Sequence, residues 1–411
     1  MGFGLQVFLA RILGVTIYGD YVYALTWILL LVPIVTLGMN QAAILFIANY
    51  LVEKSWGSIR GFQQRSLLLV LMVSSSASVL FIAGVLTLPI KIRHELMLAF
   101  VVAGLLLPVL ALIEAMGGIL RGYNKVVIVE VVQLVLRPVT FALFIGSIYF
   151  ALSLRSPSAA AVMGLQLLAA SVVLIFLIIV WWRNVPGPVK RAMPSFHSRY
   201  WLTAGYPFMA ISGISLLLSQ TDTVMIGMFK GAESAGIYSV ATRISALFGF
   251  GLAATGAVLT PMIARLYKEG KLIELQKIVT RASRAVFIFC VFFGCILYFW
   301  GEQVVRLFGV SFKAAYTPMA ILAIGQIMNA LAGPVGLIMA MTKHQTEVMY
   351  TMGISAILNI ILNMMLIPRL GLEGAAISTA ATTILWNIVL VWSIKIRLNM
   401  NPTVFHFGGG L

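Results

Sequence analysis

Apolar residues run along this chain in blocks of about twenty, the length at which a helix crosses a hydrocarbon core roughly 30 Å thick. Reading the blocks between charged or Pro/Gly-rich breaks predicts twelve helices, at 1–16, 20–47, 66–90, 96–119, 126–151, 158–182, 203–228, 236–262, 285–305, 316–341, 347–367 and 374–394. Pro108, Pro138 and Pro334 fall inside predicted spans and predict kinks there. Bilayer helices tolerate such kinks where neighbours satisfy the freed carbonyl. The expected fold class is an all-α polytopic membrane protein.

Composition excludes a soluble alternative. Hydrophobic residues make up 61% and charged residues 10% of the chain, against about 45–50% and about 25% in a typical soluble domain. The balance is basic, with 28 Lys and Arg against 12 Asp and Glu. These bases lie mostly in short loops between spans, so they report topology and no nucleic-acid partner is expected. Loops after the even-numbered spans carry most of them, including Lys54, Arg60, Arg65, Arg183, Lys190, Arg191, Arg199, Lys268, Lys271, Lys277 and Arg281, while the opposite side holds few, among them Lys91, Arg93, Arg155 and Lys230. That asymmetry predicts a cytoplasmic C-terminus. Cys290 and Cys295 share one apolar stretch and imply neither a disulfide nor a metal site, and no cofactor is expected.

The two halves resemble each other at a nearly constant offset. Gly19 and Tyr21 match Gly236 and Tyr238, Glu53 and Arg65 match Glu269 and Arg281, and Lys125 matches Lys343. The duplication predicts two parallel repeats of six helices: an N-terminal bundle over 1–182, a linker at 183–202, a C-terminal bundle over 203–397 and a tail over 398–411. Aligned on the second repeat, the first helix is expected to lack its beginning. Two such bundles suit a transporter working by alternating access. The linker's three prolines predict a broken segment, and residues 266–284 predict an amphipathic surface helix.

Four stretches carry a more specific signal: ARILGVTIYGDYVYAL at 10–25, LLSQTDTVMIGMFKGAESAGIYSVATRIS at 217–245, TPMIARLYKEG at 260–270, and the segment from Asn363 to Thr383, with its Gly-Leu-x-Gly-Ala-Ala pattern. Through them the chain resembles the polysaccharide (O-antigen and repeat-unit) flippases of the multidrug/oligosaccharidyl-lipid/polysaccharide exporter superfamily. The resemblance implies two bundles in a V around a central cavity in a bacterial or archaeal cytoplasmic membrane. It further implies movement of undecaprenyl-diphosphate-linked oligosaccharide to the outer leaflet, amid membrane lipids, with polysaccharide polymerase and glycosyltransferases as candidate partners.

A diphosphate head group needs cations inside the bilayer, and arginine suits it because its planar fork keeps its charge and donates two bonds at once. Arg11, Arg137 and Arg243 fall within or near spans, with Arg121 and Lys125 at the end of the fourth; all five are candidate cavity residues. For Arg137 the alternative is a structural pair with Glu130 or another residue of the bundle, for Arg11 and Arg243 snorkelling to an interface, and for Arg121 and Lys125 a role as positive-inside anchors. Gln326, Asn329, Asn359 and Asn363 either line the second bundle's cavity or hold its helices together. Glu114, Glu130 and Asp222 are candidate coupling or gating acids. For Asp222 three readings stand open: a latch with an arginine of the other bundle, a cation or proton site, or an anchor at the helix end. Two rival functions remain, a multidrug antiporter for organic cations and a membrane glycosyltransferase or polymerase. The short outer loops, holding Asp20, Glu95, Glu233, Glu302 and Glu373, offer no sizeable catalytic loop for the latter.

Overall fold

The computed structural model describes residues 2–87, 93–151 and 157–405. Lys91 and Arg155, expected in outer loops, and the last residues of the tail lie outside the described residues. Eleven stretches among the described residues are long and apolar enough to cross a membrane. The chain is therefore a multi-pass, all-α membrane protein. Twelve spans are expected from hydropathy, and the difference lies at the start, where Phe3–Val52 forms one apolar stretch in place of two. The break expected at 17–19 is instead at Gly14, whose φ of 70° and ψ of 173° interrupt α1 (Phe3–Val35). Only glycine adopts that backbone without a Cβ penalty.

By internal packing the chain divides into two compact units, Met1–Gln220 and Thr221–Leu411. The first unit contains α1, α2 (Met39–Val52), α3 (Trp56–Thr87), α4 (His94–Gly122), α5 (Val126–Val131), α6 (Arg137–Ala151), α7 (Ala159–Asn184), the short α8 (Gly187–Arg191) and most of α9 (Ser198–Lys230). Small residues let these helices meet. A Cβ on Gly118 of α4 would run into the backbone of Asn40 on α2, and one on Gly122 would come within 2.8 Å of the Ala43 carbonyl oxygen. With lipid on the outside there is little hydrophobic drive between helices, and close backbone contact of this kind supplies attraction in its place.

The segment after α7 is broken by its prolines and pinned. Ser195 N–H donates to the Gly57 carbonyl at 3.0 Å, and Arg60 Nη1 donates to the carbonyls of Lys190 and Ala192 at 2.8 Å each. It thereby crosses the start of α3, with the buried Trp201 donating its indole N–H to the Tyr50 hydroxyl.

The second unit holds the end of α9, then α10 (Ala232–Ser245), α11 (Gly249–Lys268), α12 (Leu272–Arg306), α13 (Tyr316–Ala332), α14 (Val335–Met341), α15 (Gln345–Leu370) and α16 (Leu372–Leu398). Two elements differ from expectation. The surface helix expected at 266–284 is split at Gly270, with φ of 72°: its first residues end α11, and from Leu272 it continues without a break into the span expected at 285–305 as α12. The span expected over 316–341 is cut in two at Gly333 (φ 83°) and Pro334, so that proline marks an end and not a kink. Pro108, in contrast, leaves α4 unbroken.

The duplication has a conformational counterpart. Gly231, between α9 and α10, has φ 88° and ψ 162°, close to the values at Gly14, and the two glycines are separated by the same offset that pairs Tyr21 with Tyr238.

Candidate functional site

In the first unit the site grows from a fault in one helix. Pro138 has no N–H, so the regular bond to the carbonyl four residues back is lost. The chain answers with a π-helical turn over Val132–Leu136, in which Arg137 N–H bonds to the Val132 carbonyl, five residues back. Wide turns of this sort recur at functional sites because they re-aim side chains. Here Gln133 bridges two residues of α4, accepting from Arg121 Nη2 at 3.3 Å and donating to Glu114 Oε1 at 3.3 Å. Arg121 Nη2 also donates to Glu130 Oε1 at 2.9 Å. A Cβ on Gly117 would lie 3.3 Å from Val129 Cγ1, so the glycine eases the approach of α5 to α4 beside this cluster.

Arg137 is half-buried at mid-span, and its Nε is enclosed without a hydrogen-bond partner. The charge acting on it comes from Glu114, with Tyr21 as a second neighbour, and Glu130 is taken by Arg121. Of the pairings left open by the sequence, Glu130 holds Arg121, and the acid acting on Arg137 is Glu114. Lys125 is exposed just before α5, and Arg11 is exposed on α1.

In the second unit the organising group is Asp222, 5% exposed. Tyr238 of α10 donates to its Oδ2 at 2.8 Å, Asn363 of α15 donates to Oδ1 at 2.7 Å, and the Thr379 hydroxyl of α16 donates to Oδ2. Behind these, Asn359 Nδ2 donates to Thr379 Oγ1 at 3.1 Å and Asn359 Oδ1 accepts from Asn363 at 3.0 Å. Four helices therefore converge on one carboxylate. Among the described residues of its own unit no Lys or Arg lies within ion-pair distance of it. A buried carboxylate held only by neutral donors is costly, and Asn363 Oδ1 is also buried without a donor. A small cation or a proton would relieve the carboxylate.

The remaining expected residues are scattered. Asn329 accepts from Asn387 at 2.9 Å, Gln326 is half-buried on α13, and Arg243 sits in the last turn of α10 with its Nε enclosed and unpartnered. Sequence reading missed Gln133, Tyr238 and Thr379. Gln133 stood four residues before Arg137, and Tyr238 and Thr379 lay inside the stretches that carry the resemblance. It also misplaced Asp20, which is buried within α1 and accepts from Arg93 Nη2 at 2.6 and 2.8 Å. No group of three or more His, Cys, Asp or Glu able to hold a metal occurs among the described residues.

This arrangement of apolar helices with isolated buried charges defines a multi-pass, all-α membrane protein in class. Residues 1–267 match the family of polysaccharide biosynthesis proteins, and the chain belongs to that family. Residues 207–365 match the MatE family. Among curated proteins the chain is similar to the "Probable flippase AglR" of Haloferax volcanii, 29% identical over 195 residues that make up 46% of this chain and 40% of that one. It is also similar to the "Probable low-salt glycan biosynthesis flippase Agl15" of the same organism, 26% identical over 190 residues, again 46% and 40%. The matches thus span well under half the length of these relatives. Among solved structures, the inward-facing conformation of a multidrug resistance MATE family transporter of the MOP superfamily aligns with a TM-score of 0.77 at 15% identity, covering 97% of this chain and 95% of that one. An outward-facing conformation of a transporter of that description aligns at 0.65 and 14%, covering 96% and 92%. These likenesses establish the fold, and no catalytic enzyme family is indicated.

Proposed function

We propose that the protein is a flippase that moves an oligosaccharide linked to undecaprenyl diphosphate from the cytoplasmic to the outer leaflet of the cytoplasmic membrane, by alternating access, for surface polysaccharide assembly. The family match and the two flippase-named relatives support the glycan-lipid class. The observation that carries the chemistry is Arg137, a cation at mid-span with an enclosed, unpartnered Nε. Ionisable groups at that depth are expensive and mark substrate pathways. Arg137 contacts the diphosphate, Arg121 and Lys125 receive it at the entrance, and Glu114 sets the orientation of Arg137. Arg11, Arg243, Gln326 and Asn329 complete the candidate substrate contacts. Asp222, with Asn359 and Asn363, is the coupling site, where uptake of a cation or proton drives the return step. The bundles over 1–182 and 203–397 are the moving halves.

The MatE match over residues 207–365 favours a second reading, export of organic cations with Asp222 as the receptor acid. Proteoliposomes loaded with a fluorescent undecaprenyl-diphosphate oligosaccharide separate the two. Protection of the label from an external quencher, lost over time only when the protein is present, is the expected result. Export of cationic dyes with no movement of the glycan lipid would overturn the flippase reading.

A further inference from the structure

The second unit contains a slot that none of this chemistry uses. It is a cavity of about 400 Å³ between the C-terminal halves of α13 and α16, walled by Met328, Leu331, Ile388, Val391 and Trp392. The tail borders it, with Thr403 lining the slot and Val404 N–H donating to the Leu331 carbonyl at 3.2 Å. The tail is itself fastened: Gln276 Nε2 donates to the Asn401 carbonyl at 2.6 Å, Asn401 N–H donates back to Gln276 Oε1 at 2.8 Å, and Ser283 donates to the Pro402 carbonyl at 2.9 Å. Lys395 also lines the slot, exposed and without an acidic partner among the described residues, whereas its neighbour Arg397 is neutralised by Glu347 at 2.6 Å.

We infer that this slot binds a single-chain polyprenyl phosphate, its first isoprene units between α13 and α16 and its phosphate on Lys395. Both helices cross the bilayer, so the apolar walls face a hydrocarbon supply. An apolar cavity of about 150 Å³ holds one benzene; on that scale about 400 Å³ takes roughly fifteen carbons, or three isoprene units, of one chain. A diacyl lipid brings two chains to each phosphate and fits one of them only. The unneutralised ammonium supplies charge complementarity for the head, and its flexible stem lets it reach along the slot. The inference rests on the flippase reading for its choice of a polyprenyl chain.

The test uses the full chain in nanodiscs with a photoactivatable undecaprenyl monophosphate. The expected result is cross-linking to Met328, Ile388 or Trp392, reduced about tenfold or more in Lys395→Ala, retained in Lys395→Arg, reduced in the slot-filling Val391→Trp, and unaffected by excess phosphatidylglycerol. Labelling that ignores Lys395→Ala and Val391→Trp, or that phosphatidylglycerol displaces on equal terms, overturns it as ordinary lipid contact. The same preparations are assayed for glycan-lipid translocation. Lysine-dependent labelling without translocation contradicts the flippase reading and leaves the slot standing; translocation with indifferent labelling contradicts the slot alone.

Discussion

Asn363 on α15 donates its side-chain N–H to Asp222 on α9 at 2.7 Å, while its own Oδ1 stays buried and unpartnered. One amide thus both steadies the carboxylate and keeps a buried acceptor of its own unmet. Asp222→Asn is expected to abolish any dependence of transport on a sodium or proton gradient with little change in unfolding temperature. Asp222→Ala strands three donors and is expected to cost about 1–3 kcal/mol or more of stability. Gradient-driven transport and thermal unfolding, measured on both variants, check this; unaltered coupling in Asp222→Asn contradicts it.

Gly118 tests the helix packing independently. A Cβ there meets the backbone of Asn40, whereas one on Gly164 of α7 meets nothing within 4 Å. Gly118→Ala is expected to destabilise by about 1–3 kcal/mol through overpacking, and Gly164→Ala to be neutral or stabilising by about 0.5–1 kcal/mol through helix propensity. Comparative thermal unfolding in detergent reads both.

Tyr123, just past the end of α4, gives a pH signature outside the spans. Burial pushes its phenol up to about 12, above the value of about 10 for an exposed tyrosine. The folded protein keeps this proton where the unfolded chain has lost it. Stability is therefore untouched by this group below about pH 10 and falls as pH rises from about 10 to about 12. Tyr123→Phe is expected to flatten the fall in unfolding temperature over that window.

The spans were legible because lipid imposes length and apolarity on every crossing helix, and Asp222 and Arg137 stood out because charge is rare in such segments. The break at Gly14 was legible in principle, since the repeat aligns it with Gly231, but hydropathy carries no backbone dihedral. The end at Gly333 and Pro334 was hidden likewise, as proline in an apolar run reads equally as a kink or a stop. Partner choice was out of reach for a different reason. Glu130 and Arg137 are two turns apart on a regular helix, and the π-turn at Val132–Leu136 alters that register and leaves Glu130 to Arg121. Tyr238 and Thr379 reach Asp222 only through tertiary packing, which no spacing rule encodes.

The most direct test of the account is the rate of undecaprenyl-diphosphate oligosaccharide translocation in proteoliposomes containing the wild-type chain, Arg137→Lys or Arg137→Ala, with folding verified by thermal unfolding. The account predicts translocation by the wild type, partial retention in Arg137→Lys, and a loss of at least about tenfold in Arg137→Ala, equivalent to about 1.4 kcal/mol. A folded Arg137→Ala that moves the glycan lipid at the wild-type rate would contradict it.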